Sequence, residues 1–191
     1  MTGTLDSEEK RKLHSEINQL VNQRFVLNGA AITLFGVITA WAIPKNQSLP
    51  DPNAAKLAFT ASILLIILLF ALYLVSHLAR LTTRTLTTYL IVRGESQWEC
   101  DWKNYRDKKS YIAYTKSQTL LFLVLGFLST IAPLIFLSIF KITLNPKEAL
   151  YALVLFELLY TVFVAGMGFG NWFYPEQDIE NRWNEVLNNN R

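Results

Sequence analysis

The apolar residues of this chain are grouped into long blocks, not spread with a helical or strand period. Four blocks stand out: 25–43, 57–78, about 119–140 and about 149–170. Each is long enough to cross a hydrocarbon core of about 30 Å as a helix. Backbone groups in lipid must be satisfied within the segment, so helix is the expected conformation for all four. Four such runs in 191 residues leave too little polar sequence to cover them in a soluble core. The fold class predicted is all-α: a four-transmembrane-helix bundle whose helices extend into a cytoplasmic helical bundle.

The polar segments also have a pattern. Asp6-Ser7-Glu8-Glu9 is a capping-box-like helix start. Leu13, Ile17, Leu20 and Val21 then form one apolar stripe. No Gly or Pro separates this stripe from the first span, so one helix is predicted from about 7 to 43. The second span likewise has no stop before Gly94. Its extension carries five threonines, which are weak helix formers in water and call for a packing partner. A turn at Gly94 precedes a helix predicted through Trp98 and Tyr105 up to the third span. After Pro175, Ile179, Trp183 and Leu187 recur at i, i+4, i+8 and predict a short amphipathic tail helix. The chain therefore divides into a cytoplasmic amphipathic helix (1–24), a first transmembrane hairpin (25–78), a basic cytoplasmic helical connection (79–117), a second hairpin (118–170) and a tail helix (171–191).

Charge orients this arrangement. Fourteen Lys and Arg lie in 1–24, 79–117 and the tail, against four in the other two connections. The positive-inside rule then puts both termini and the long middle connection in the cytoplasm. Charged residues make up 17% of the chain, below the roughly 25% of soluble domains. The net charge of +3 needs no nucleic-acid partner to explain it. A lone Cys100 excludes an internal disulfide, and with His14 and His77 it forms no metal-ligand spacing. The first 24 residues are polar, so no signal peptide is expected. No nucleophile–base pattern is recognisable, so an enzyme is not expected, and neither is a cofactor.

The candidate functional residues are therefore polar intruders in apolar helices. Glu157 lies about 12 Å into the fourth span, with Thr161 one turn on. No other span offers a basic group at that depth. Three readings stand: a neutral carboxyl bonded to a neighbouring hydroxyl or carbonyl, a ring of carboxylates around a cation-selective pore in an oligomer, or a proton relay. Thr33, Ser129 and Thr130 can bond their own helix backbones and need no further role. Arg24 and Asn28 share a face near the cytoplasmic boundary, where they either cap a helix contact or line a vestibule. Gly166 and Gly170 form G-x-x-x-G with Gly168 between, which suits either close helix packing or a gating hinge. The middle connection carries eight basic and four acidic residues with interleaved aromatics. Arg80, Arg84, Arg93, Trp98, Trp102, Arg106, Lys108 and Lys109 are its candidate contacts. They suit anionic lipid, a nucleotide or nucleic-acid ligand, or a cytoplasmic partner protein, and they equally suit an ordinary positive-inside loop.

Two stretches carry a family resemblance. "EINQLVNQRFVLNGAAITLFGV" and "TLTTYLIVRGESQWECDWKNYR", with Tyr89-Leu90 followed by Trp98-Glu99, resemble small bacterial multipass proteins over about residues 16–115. Four-span proteins of this kind include membrane effectors of antiphage systems such as Hailong and Kiwa. The resemblance implies a homo-oligomeric channel in the bacterial inner membrane, controlled from the cytoplasm. The alternative is a non-conducting membrane subunit that docks a soluble partner. Spans one–two and three–four show no internal repeat, which ranks a proton-coupled transporter last.

Overall fold

The computed structural model describes residues 5–42, 52–98, 100–101, 114–139, 147–169 and 176–189. They form five long helices: α1 (Ser7–Ala42), α2 (Pro52–Val92), α3 (Tyr114–Ile139), α4 (Lys147–Phe169) and α5 (Glu176–Asn189). No strand occurs among the described residues. Helices α1 to α4 are each long and apolar enough to cross a membrane, so this is a multipass membrane architecture.

The helix limits follow from local chemistry. Asp6 precedes α1, and its carbonyl accepts the first helical bond, from the Lys10 amide at 3.0 Å. The helix then runs unbroken for 36 residues. Helix α2 ends in a Schellman motif at Gly94. The Gly94 amide donates to Ile91 O at 2.9 Å and the Glu95 amide to Leu90 O at 3.0 Å. Gly94 has φ 71°, a left-handed conformation that disfavours any residue with a Cβ. Beyond it, residues 97, 98, 100 and 101 are helical; Tyr105 lies outside the described residues. Pro133 sits inside α3, which costs the helix its bond to the Ser129 carbonyl but does not end it.

Helix α2 is the centre of the molecule. It touches α1, α3, α4 and α5, whereas α1 and α4 do not meet among the described residues. The core is built on one of its faces from Phe59, Leu65, Ile66, Leu69 and Tyr73, closed by Phe122 and Leu125 of α3 and by Leu153, Tyr160 and Val164 of α4. Arg24 and Ala31 are the buried residues of α1. Exposed apolar residues line the outer sides of α1 and α4, as at Ile32, Val37, Leu155 and Leu158, which suits contact with acyl chains.

The threonine-rich extension of α2 stays helical for two reasons. Thr82, Thr83, Thr85 and Thr87 donate their hydroxyls to the carbonyls of Leu78, Ala79, Leu81 and Thr83, at 2.7–3.2 Å. The extension also has partners. The Lys10 Nζ lies 3.7 Å from Glu95 Oε2, and the Leu5 amide donates to Glu95 Oε1 at 2.8 Å, so the start of α1 is tied to the end of α2. Helix α5 lies against α2 through Ile179 and Trp183. The Trp183 Nε1 donates to the Thr85 carbonyl at 3.0 Å, and its ring lies 4.7 Å from that of Tyr89. Trp183→Ala removes both contacts. We expect α5 to lose about 2 kcal/mol of docking energy, below the full Trp→Ala range because the ring is half-buried. Faster proteolytic removal of residues 176–191 is the readout.

Candidate functional site: the polar layers between the spans

Three polar layers cross the apolar bundle. The first lies where α1, α2 and α3 meet, and Gln118 is its hub. Its Oε1 accepts from Arg24 Nη2 at 2.7 Å, while its Nε2 donates to Asn28 Oδ1 at 2.8 Å and to the Ser76 hydroxyl. Arg24, Ser76 and Gln118 are all buried, Arg24 with 7% exposure. The arrangement has a simple cause: a guanidinium offers only donors, so one amide oxygen must face it, and the amide nitrogen is then left for two acceptors. Arg24 and Asn28 thus take part in a contact between α1 and α3. His77 is also buried here, stacked on Tyr73 at 6.1 Å. The charges of Arg80, Arg24 and Arg84 all act on it.

The second layer joins α2, α3 and α4. The Tyr73 hydroxyl donates to the Val164 carbonyl at 3.2 Å and lies 3.2 Å from Thr119 Oγ1. Thr119 fills the space that Gly168 leaves open; any Cβ at Gly168 would collide with it. Gly166 is buried too, and α4 continues through both glycines to Phe169. Gly168 thus packs against Thr119, and α4 is continuous through Gly166 and Gly168 in this conformation. Gly170 lies outside the described residues.

The third layer lies between α3 and α4, one to two turns further along. Tyr160 donates to the Phe122 carbonyl at 2.6 Å, and its ring rests on the bare backbone of Gly126. One turn on, Thr130 Oγ1 donates to Glu157 Oε2 at 3.1 Å and Thr161 Oγ1 to Glu157 Oε1 at 3.2 Å. Both carboxyl oxygens therefore have a hydroxyl partner within the chain. Glu157 is half-buried, with Leu155, Phe156, Leu158 and Leu159 exposed beside it. Thr130 lies 3.4 Å from its own-helix acceptor, the Gly126 carbonyl. It thus has a role beyond backbone bonding.

The basic candidates lie mostly along the α2 extension. Arg80, Arg84 and Arg93 are half-buried. Arg93 stands over the Tyr89 ring at 5.4 Å, so Arg93, Tyr89 and Trp183 form one stack. Trp98 is 66% exposed. Trp102, Arg106, Lys108 and Lys109 lie outside the described residues. No group of three metal-ligating side chains occurs among the described residues.

Sequence reasoning missed Gln118, Ser76, Tyr73 and Thr119. The signal was available in part. Ser76, His77 and Gln118 sit at the basic ends of the second and third spans, the same depth as Arg24. Comparison with protein-family models, curated proteins and solved structures finds no match for this chain.

Proposed function

We propose that the protein is an oligomeric membrane channel or pore-forming effector, gated from the cytoplasm by a ligand or partner protein and acting in bacterial antiviral defence. Both termini and the basic connection lie on the cytoplasmic side of the inner membrane, by the distribution of Lys and Arg. The observation that carries the reading is the position of Glu157. It is a half-buried carboxyl at the edge of an otherwise exposed apolar face of α4. An ionisable group at membrane depth is costly against lipid and is at home beside water or another protein. A ring of α4 helices would place several carboxyls around one aqueous axis, which selects cations. The protomer core is filled by Phe59, Leu69 and Phe122, so the conduit would run between copies. The gate would be the extension of α2 with α5 and the basic, aromatic connection. The defence role rests on the resemblance of residues 16–115.

The second reading is a non-conducting membrane subunit that docks a soluble partner. The hydrogen bonds from Thr130 and Thr161 favour it, because they satisfy Glu157 inside its own chain. Ion flux through vesicles that contain the purified protein separates the two. Under the channel reading, Glu157→Gln keeps side-chain size and an acceptor for one threonine, and loses cation-over-anion selectivity. No conductance with any ligand, and no effect of Glu157→Gln, would sink that reading and leave the docking subunit.

A further inference from the structure

One face of α1 is without a partner from end to end, and its residues follow a fixed spacing. Within the span it consists of Val26, Gly29, Thr33, Gly36 and Ala40, at i, i+3, i+7, i+10, i+14, all exposed. A Cβ built on Gly29 or on Gly36 meets nothing within 4 Å. The same face continues below the span through Glu8, Lys12, Ser15, Gln19 and Asn22, again all exposed. Two grooves follow it. One, of 740 Å³, runs along Ser15, Asn18, Asn22 and Val26 with Val75 of α2 as a wall. The other, of 620 Å³, runs along Glu8, Arg11, Lys12 and Glu16 and shares Ser15 and Gln19 with the first.

We infer that this face is the surface on which a second copy of the chain docks, α1 against α1. Three observations select a second copy over lipid or a foreign protein. First, small residues at this spacing give little contact to acyl chains, but they let another helix approach closely. Second, the face is its own electrostatic complement. Copies in one membrane run parallel, so seam residues such as Glu8 and Lys12 meet their own counterparts, and the complement lies on the flanks, where Arg11 of one copy stands beside Glu16 of the other, and the reverse. Third, the size fits. From Glu8 to Ala40 the strip is about 48 Å long at 1.5 Å per residue, and about 10 Å wide. That covers roughly 500 Å² per copy, or about 1,000 Å² in total, the lower bound for a specific interface. The inference deepens the oligomeric reading above and rests on it only in that copies must associate.

The test uses the full chain in phosphatidylethanolamine–phosphatidylglycerol vesicles, with Cys100→Ser to remove the native thiol. Single cysteines are placed at each position from 26 to 40 and in α4 at Leu155 and Leu158, then oxidised. Disulfide-linked dimer should peak at 26, 29, 33, 36 and 40 and fall between them. A profile without that period, or linkage at α4 alone, would overturn the inference. Gly36→Leu meets open space in its own bundle, so the chain should fold as wild type and shift from oligomer to monomer on native mass measurement. An unchanged oligomer overturns the inference. Glu16→Lys should weaken association, and Glu16→Lys with Arg11→Glu should restore it. Flux on the same samples separates this interface from the channel. Linkage at α1 without flux supports the interface and sinks the channel. Flux with linkage only at α4 does the opposite.

Discussion

Gln118→Leu should cost the bundle about 2–3 kcal/mol, read as an earlier midpoint when the purified protein in mixed micelles is titrated with sodium dodecyl sulfate. The substitution keeps side-chain bulk and removes the shared partner of Arg24, Asn28 and Ser76. Interhelical hydrogen bonds in membranes average about 0.6 kcal/mol and reach about 1.7, because the separated helices find other partners. Three bonds at one side chain, one of them to a guanidinium, set the sum. Buried groups that lose a partner add to it. Asn28→Leu removes one of the three bonds and should cost under about 1 kcal/mol. If both variants shift the midpoint equally, Gln118 is not the hub.

Gly126→Leu should be strongly disruptive in the transmembrane core, with a loss of about 3 kcal/mol or more. The Tyr160 ring occupies the volume of the missing side chain, and it is held there by its bond to the Phe122 carbonyl. The ring has no easy exit, because Tyr160 is only 3% exposed. Helices α3 and α4 must therefore separate, which also pulls Thr130 from Glu157. The compensating change is Tyr160→Ala. The double variant should recover much of the loss, and it should be more stable than Gly126→Leu alone in the same titration. A double variant no better than the single one would show that the contact with Tyr160 is not the cause.

The architecture was legible where the chain offers continuous signals. The absence of Gly and Pro between the Leu13–Val21 stripe and the start of the first span gives α1 as one helix, and Gly94 ends α2 at the place its left-handed conformation requires. The blocks of apolar residues give the four spans. The polar layers were legible only by half. Arg24, Asn28 and Glu157 announce themselves as polar residues inside apolar blocks. Gln118 does not, because it sits at the edge of its span, where an amide is unremarked. The partners of Glu157 depend on how α3 is rotated against α4. That rotation is set by Gly126 and Tyr160, residues 34 apart in sequence, and no local pattern reports it. The close approach at Gly168 likewise shows only once Thr119 is placed against it.

The threonines of α2 bear on how deeply the protein sits in its bilayer. Each hydroxyl that bonds the preceding turn carries its acceptor with it, so Thr82 to Thr87 are nearly as well satisfied in oil as in water. The threonines themselves are therefore neutral about immersion, and the preference of this stretch for water is set by Arg80 and Arg84 among them. A thicker membrane takes up more of α2 only as far as the long Arg80 and Arg84 side chains still reach the headgroups. Vertical registry therefore falls to these arginines, with the Lys10–Glu95 pair further down at the foot of the bundle. The threonines keep α2 helical on either side of the headgroup boundary, while the arginines fix where that boundary falls.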